Sequence, residues 1–498
     1  MEAKLCLYSG VLTAIAVWRP LLQTALLLSS LHPDSPAIIM LTFASTLEDI
    51  ARIAHGTLAP AFGARRVTGV SIDSRNLDDG DLFVALPGEK ADGHDYVAAA
   101  LAAGAVGAIV SRVPDGIGVE QSPLIVVPDS LRALGDLGSA ARDLSGATVV
   151  AVTGSAGKTT VRNMIAAALA TFGPTLVAER NLNNEIGCPL TLFRLRPEHR
   201  FAVLELAMRG RGQIKYLADI CRPHIGVITN VGESHIGLLG SRENIAQAKA
   251  ELLAALPADG VAALPRDDFF FDLLDQLAPC RVISFGESPD ADVRVSDVAI
   301  EGLAGVRFRL RAGDEEAGAF VGIPGRHIAI NVAAAAAVCL AAGMSLSQAA
   351  AGLNGFADTD MRMQTAQTAR GYTVVNDTYN ASPASVQAAL DVLAVQEGRK
   401  VFVFGDMLEL GPVTKSTHER IGQAAAKAGV DWMVTVGEWA SVAGDAAEAA
   451  GVRVERFTDK TEALEALKEG LQPGDIVLVK ASRGMGLETV ARGLVDGA

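Results

Sequence analysis

Two glycines, a lysine and two threonines at the end of an apolar run are the residues in this chain best placed to do chemistry. Ala151-Val-Thr-Gly-Ser-Ala-Gly-Lys-Thr-Thr160 carries a β-branched run into a glycine turn and then into a helical pattern. Gly154 and Gly157 allow the backbone N–H groups around Ser155 and Ala156 to turn inward about a phosphate. The helix that opens near Thr159 and Thr160 adds the positive end of its dipole. Lys158 can then reach the outer phosphates of ATP, and Thr159 can offer its hydroxyl to Mg²⁺. The two glycines stand closer together than in the general phosphate-loop motif, which marks a shortened form. A plain strand–turn–helix corner with an exposed lysine explains each feature singly, but not their coincidence.

Other residues gain meaning beside this loop. Glu205 ends the run Phe201-Ala-Val-Leu-Glu205, at the strand end where parallel sheets present ligands. A carboxylate there holds Mg²⁺ or faces solvent. His235 follows the run ending Thr229-Asn-Val-Gly-Glu-Ser234 and is a structural donor or a ligand. Lys249 lies in a helical run beside Glu251, where an exposed lysine is the bland reading. Asn181, Asn183 and Asn184 stand in a turn-rich segment, and amides are common turn formers. Asn331 falls on an alanine-rich helix. Asp377, Tyr379 and Asn380 end one strand-like run, and Lys480, Ser482 and Arg483 end another, where a cation suits a carboxylate ligand. Ser74 and Arg75 occupy an Asp-Ser-Arg turn. Arg209 and Arg211 either contact an anion or solvate a loop.

These residues require an α/β scaffold. Thr148-Val-Val-Ala-Val-Thr153, Phe201–Leu206 and Ile225–Ile228 are short apolar runs separated by helical pattern, the grammar of a buried parallel sheet. The alternation returns after about residue 358 in TVVNDTY, KVFVFGD, DWMVTVG and DIVLVKA. At roughly 150 residues per domain, 498 residues suggest about three domains. Boundaries are expected at 40–146, 147–357 and 358–498. The net charge of −14 excludes a global basic footprint for nucleic acid. The five cysteines, Cys6, Cys188, Cys221, Cys280 and Cys339, are odd in number and scattered. That argues against a disulfide framework and for a reducing cytoplasm. Residues 11–28 are apolar but interrupted by Arg19-Pro20 and Gln23, so stable membrane insertion is not expected. Residues 1–39 read as a misplaced translation start or an extension. After them, Ser45 is expected to cap a helix carrying Leu47, Ile50 and Ile53.

The loop Thr153-Gly-Ser-Ala-Gly-Lys-Thr-Thr160, together with Asn181-Leu-Asn-Asn-Glu-Ile-Gly187, Asn376-Asp-Thr-Tyr-Asn-Ala381, Phe404-Gly-Asp-Met-Leu-Glu-Leu-Gly411 and Val479-Lys-Ala-Ser-Arg483, resembles the Mur ligase family over about 41–498. The resemblance implies three domains. A small α/β domain binds the UDP sugar, a central parallel-sheet domain binds ATP, and a Rossmann-like domain brings the amine. Activity follows the family pattern: ATP converts a carboxylate to an acyl phosphate, which an amine displaces. The quoted motifs are most similar to members that add D-alanyl-D-alanine to UDP-N-acetylmuramoyl-tripeptide, the final cytoplasmic step of peptidoglycan precursor synthesis. The resemblance also implies roles. Ser74 and Arg75 approach the uridine, and Asn181, Asn183 and Asn184 lie beside the muramoyl-peptide carboxylate. Asn331 meets adenine. Arg362 approaches the ATP phosphates, although Thr359-Asp360-Met361 replace the usual Pro-Gly before it. Thr159, Glu205, His235 and a carbamylated Lys249 are implied to surround Mg²⁺. Asp377, Tyr379, Asn380, Lys480 and Arg483 face the incoming dipeptide. Alternatives are a ligase for the third stem residue, whose usual Asp-Asn-Pro-Arg signature is absent, a folylpolyglutamate-type ligase, and an inactive nucleotide-binding scaffold.

Overall fold

A computed structural model of the chain describes residues 40–88, 91–179, 181–357 and 361–497. The expectation for residues 1–39 and the hinge residues Thr359 and Asp360 lie outside them. Three sheets follow one another along the chain. The first joins β1 (Met40–Thr46), β2 (Arg66–Ser71), β3 (Asp81–Val84), β4 (Gly107–Val110) and β5 (Leu124–Val126) in sequence order. β1 is antiparallel to β2, and the others are parallel. The helix Leu47–Ile53 closes one end, buried through Leu47 and Ile50. Its cap is Thr46, not Ser45: Thr46 and Asp49 form a reciprocal capping box. Asp49, three residues on, can reach back only to Thr46, which moves the helix start one residue later than the sequence suggests.

The second sheet contains β6 (Thr148–Thr153), β7 (Thr175–Val177), β8 (Phe201–Glu205), β9 (Ile225–Ile228), β10 (Val261–Pro265), β11 (Arg281–Gly286), β12 (Val293–Ile300), β13 (Val306–Ala312) and β14 (Glu315–Val321). Their order is β14-β13-β12-β11-β10-β9-β6-β8-β7. From β7 to β12 the pairing is parallel, and β12, β13 and β14 add an antiparallel ribbon. β6, β8 and β9 are buried on both faces and so read as continuous apolar runs. β13 instead buries Val306, Phe308 and Leu310 and exposes Arg307, Arg309 and Arg311, the period of a half-covered strand. The helix Arg326–Ala341 is buried almost all round. Its alanines let it lie close against the helix Lys158–Ala170 and share its core.

The third sheet holds β15 (Gln364–Gln367), β16 (Thr373–Asp377), β17 (Lys400–Gly405), β18 (Trp432–Val436), β19 (Arg453–Phe457) and β20 (Ile476–Lys480), ordered β15-β16-β20-β17-β18-β19. All pairs but β15–β16 are parallel. The C-terminal ends of β6, β8 and β9 bring Gly154, Glu205 and Thr229 to one edge of the second sheet. Asp377 and Lys480 end β16 and β20 on the third. No helix among the described residues is long and apolar enough to cross a membrane.

Candidate active site

The phosphate loop forms as its residues require. Gly154 has φ 154° and Gly157 φ 79°. A Cβ on Gly154 would stand 1.8 Å from Thr229 Oγ1, and one on Gly157 2.9 Å from Asn331 Oδ1. Only glycine fits either position. The loop is braced from the segment after β9. The Ser155 N–H donates to the Asn230 carbonyl (3.1 Å) and the Ala156 N–H to Asn230 Oδ1 (3.0 Å). Thr229 Oγ1 donates to the Ala156 carbonyl at 2.6 Å, and the Gly232 N–H donates to Ser155 Oγ at 2.9 Å. Gly157 caps the helix Lys158–Ala170 with its backbone alone, so the first N–H groups of that helix are left for a ligand. Lys158 Nζ folds back onto the Gly154 carbonyl at 3.0 Å. Burial lowers its pKa, Glu205 opposes that, and Arg362 adds to it. Asn331, expected near adenine, is buried against the Gly157 turn.

Glu205 is the hub of the site. It is 3% exposed. Its Oε2 accepts from Thr159 Oγ1 at 2.7 Å and lies 3.5 Å from the guanidinium of Arg162. Its Oε1 accepts from Asn183 Nδ2 at 2.9 Å. One buried carboxylate therefore joins the phosphate loop to the asparagine loop. The three amides separate into different roles. Asn183 touches Glu205, Asn184 Oδ1 accepts the Gly187 N–H (2.8 Å) at the start of the helix Gly187–Leu192, and Asn181 is exposed.

Lys249 is not the exposed helix lysine of the bland reading. It is 1% exposed on the helix Arg242–Ala254. Its ammonium has no hydrogen bond or ion pair among the described residues, and burial, then Lys158, pushes its pKa well below that of an ordinary lysine. His235 stands in the left-handed region, φ 65°. Its pKa is lowered by burial and by Lys158 and Lys249, against the opposing charge of Glu409. Glu409 comes from the third sheet's loops, and its Oε2 is 2.9 Å from His235 Nδ1. Arg209 Nε is 3.7 Å from the other Glu409 oxygen, and Arg211 holds Asn244 and Gln247 on the Lys249 helix at 2.7 Å each. Both arginines thus join elements of the site.

On the third sheet Lys480 is 1% exposed, paired with the Asp377 carboxylate, and donates to the Asn380 carbonyl at 3.0 Å. It is not a free cation. Arg483, whose side chain is 54% exposed, is the more open charge of that cluster. Arg362 stacks over the Tyr379 ring, 3.6 Å from its centroid. Ser74 and Arg75 lie on the first sheet, away from this cluster. Arg75 grips Asp73, holding that carboxyl down to about 2. A cleft of about 340 Å³ runs from Ser155, Asn230 and Ser234 to Ser382, Gln387 and Arg420 of the third unit.

Asn230, Arg162 and Glu409 escape the residue-by-residue reading. Asn230 had a signal, since it directly follows the end of β9. Arg162 looks like any helix cation, and Glu409 reaches the site only through the meeting of two units.

Comparison with known proteins finds relatives over most of the chain. Family models match the chain at residues 66–142 (Mur ligase family, catalytic domain), 152–339 (Mur ligase middle domain) and 361–483 (Mur ligase, glutamate ligase domain). The UDP-N-acetylmuramoyl-tripeptide–D-alanyl-D-alanine ligase of Bacillus subtilis (strain 168) is 37% identical over 457 residues, covering 91% of this chain and 98% of that protein. A crystal structure of MurF from Acinetobacter baumannii superposes with TM-score 0.84 at 33% identity, covering 92% of this chain and 100% of the other. MurF ligase from Thermotoga maritima in complex with ADP gives TM-score 0.75 at 27% identity, with 86% and 98% covered.

Proposed function

The chain belongs to the Mur ligase family, and on that premise we propose that it is the ATP-dependent ligase that joins D-alanyl-D-alanine to UDP-N-acetylmuramoyl-tripeptide. The observation that carries the chemistry is the buried line Thr159–Glu205–Asn183, in which a single carboxylate links the nucleotide loop to the loop assigned to the muramoyl peptide. The units 40–146, 147–357 and 358–498 are taken as the UDP-sugar, ATP and amine domains. The reaction belongs in the cytoplasm, where ATP and the soluble precursors are found.

The steps assigned to this chain are binding, orientation and water exclusion. The free N–H groups at the start of the helix Lys158–Ala170 hold the ATP phosphates, and Lys158 turns from the Gly154 carbonyl toward them. Arg362, carried on Tyr379, supplies a second cation from the third domain. The terminal carboxylate of the tripeptide attacks the outer phosphate of ATP beside Asn183, and ADP leaves. The dipeptide amine then displaces phosphate from the acyl phosphate. Arg483 is assigned to the dipeptide carboxylate, and Ser74, Arg75, Asp377, Tyr379 and Asn380 to substrate contacts around it and the uridine. The acyl phosphate must be shielded from water, which closure of the third domain provides.

The residues fit Mg²⁺. Glu205 and Thr159 are hard oxygen donors. The described residues contain no cluster of three or more acidic, histidine or cysteine ligands, as suits an ion that takes most of its ligands from phosphate and water. When bound, Mg²⁺ neutralises phosphate charge. As an ammonium, Lys249 repels such a cation; as a carbamate it becomes an anionic oxygen donor beside His235. Its buried, unpartnered amine of lowered pKa is what supports the carbamate.

Purified protein given ATP, UDP-N-acetylmuramoyl-tripeptide and D-alanyl-D-alanine is expected to release ADP and phosphate in step with amide product. Product only with UDP-muramoyl-dipeptide and a diamino acid, or ADP release without amide, would overturn the assignment.

A further inference from the structure

The contact between Glu409 and His235 is built from both sides with more structure than a surface ion pair needs. Both residues are non-glycine positions in the left-handed region, φ 64° and 65°, a conformation disfavoured in an L-residue because its Cβ crowds the following carbonyl oxygen. Such outliers persist where the surroundings over-determine them, and here they do. The loop after β17 is pinned at each step: the Met407 N–H donates to His418 Nε2 (3.0 Å), the Leu408 N–H to Ser482 Oγ (2.9 Å), and Asp406 Oδ1 accepts the Ala440 N–H (2.7 Å). His418 is fully buried, with Nδ1 on the Thr414 carbonyl at 2.8 Å. Two residues after Glu409, Gly411 meets the backbone of Gly237, and a Cβ on Gly411 would stand 2.7 Å from Gly237 Cα. Two backbones in van der Waals contact thus fix how far the third domain can approach the His235 turn.

We infer that Glu409 is a positioning residue of the ligase, which reaches across from the third domain to orient the His235 imidazole and the Arg209 guanidinium, so that the site is complete only when the domains meet. This rests on the ligase reading above. Glu409 Oε2 lies at ion-pair distance from His235 Nδ1, but Nδ1 forms no aligned hydrogen bond. Hydrogen bonds in substrate-free sites are often poorly aligned and tighten only when the substrates are bound. An imidazole that gives its Nδ1 proton to a carboxylate keeps its Nε2 lone pair and its ring plane fixed. Arg209, 3.7 Å from the other oxygen, keeps the carboxylate from turning away. The single carboxylate therefore ties three segments together: the loop after β8, the turn after β9 and the loop after β17.

The test uses the full-length protein with Glu409→Gln, the conservative Glu409→Asp, and Glu419→Gln as control, a half-exposed glutamate on the neighbouring helix Thr414–Lys427 that pairs only with Lys415 among the described residues. Removing an orienting partner typically costs about 10–100-fold. Glu409→Gln is expected to lower kcat by about that factor, with the Kd for ADP, measured by calorimetry, within about twofold of wild type. Glu409→Asp should recover part of the loss, and Glu419→Gln none of it should lose. Hydrogen exchange of residues 233–241 should rise in Glu409→Gln even without substrates. An unchanged kcat, or a parallel loss of ADP affinity and of thermal stability, would overturn the inference. Wild-type protein inactive on the three substrates would instead refute the ligase reading, leaving the exchange result to decide whether Glu409 orders the His235 turn.

Discussion

A buried lysine without a carboxylate partner is a stability cost that the fold retains. Lys249 shows this directly. Its pKa is lowered by burial and by Lys158, so in the pH range between its folded value and the unfolded ~10.4 the unfolded chain binds the extra proton. Stability therefore rises with pH across that window, and the full penalty is present below it. Lys249→Met keeps the volume and removes the charge. In CO₂-free, ligand-free buffer it is expected to unfold at higher temperature than wild type, by on the order of 1 kcal/mol or more, with the difference shrinking as the buffer is made alkaline. The same substitution should abolish ligation. Lys249→Ala opens a space where small carboxylic acids can stand in for a carbamate, and partial rescue of amide formation by them is the expected result. A Lys249→Met protein less stable than wild type would show that the ammonium has a partner in solution. Full activity of Lys249→Ala would remove the residue from the mechanism.

At the scale of elements, the glycines of the phosphate loop test whether geometry or mere flexibility matters. Gly157 sits at φ 79°, and its missing Cβ is what admits Asn331. Gly157→Ala forces a left-handed alanine, roughly 1–2 kcal/mol, against a buried amide. The expected outcome is a KM for ATP raised roughly fivefold to thirtyfold, with the KM for D-alanyl-D-alanine little changed. Equal effects on both would mean that the whole domain had shifted. This loop was legible in the sequence because strand, turn and helix signals coincide there. The buried strands β6, β8, β9, β16, β17, β18 and β20 were legible as β-branched runs. β13 alternates apolar and charged residues and carried a signal of its own, but β14 does not, and the antiparallel ribbon β12–β14 breaks the parallel grammar. β15 and β19 are exposed or half-exposed, so no apolar period marks them. In the site, Glu205 and Lys249 were visible as residues, but not their burial. Asn183, Asn184 and Asn181 look alike in sequence and differ only in what the folded chain sets beside each.

The scale of the whole molecule decides how the site is completed. The second and third domains share one continuous buried apolar cluster, with Ile328 and Val332 of the second and Val386 and Val392 of the third among its members, and the Gly237 and Gly411 backbones touch. Beside this seam lie the ion pairs Glu233–Arg420 at 3.3 Å, Arg209–Glu409 at 3.7 Å and His235–Glu409 at 2.9 Å. Every one of these side chains is at least a quarter exposed or nearly so, and such pairs contribute about 0–1 kcal/mol each. These three pairs add little to the apolar seam, so the balance between open and closed arrangements is set by that seam and by the substrates, each of which shifts a conformational equilibrium only by its differential affinity for the two states. ATP and the UDP-linked peptide are anionic, the dipeptide carries a carboxylate, and the chain carries −14, so attraction has to come from local cations gathered by closure: Lys158, Arg362 and Arg483. Ligand-free protein is therefore expected to scatter X-rays with a radius of gyration larger than this closed arrangement gives. A non-hydrolysable ATP analogue with UDP-N-acetylmuramoyl-tripeptide should contract it to the closed value. Identical dimensions with and without substrates would mean that the domains stay closed on their own, and that closure does not gate the reaction.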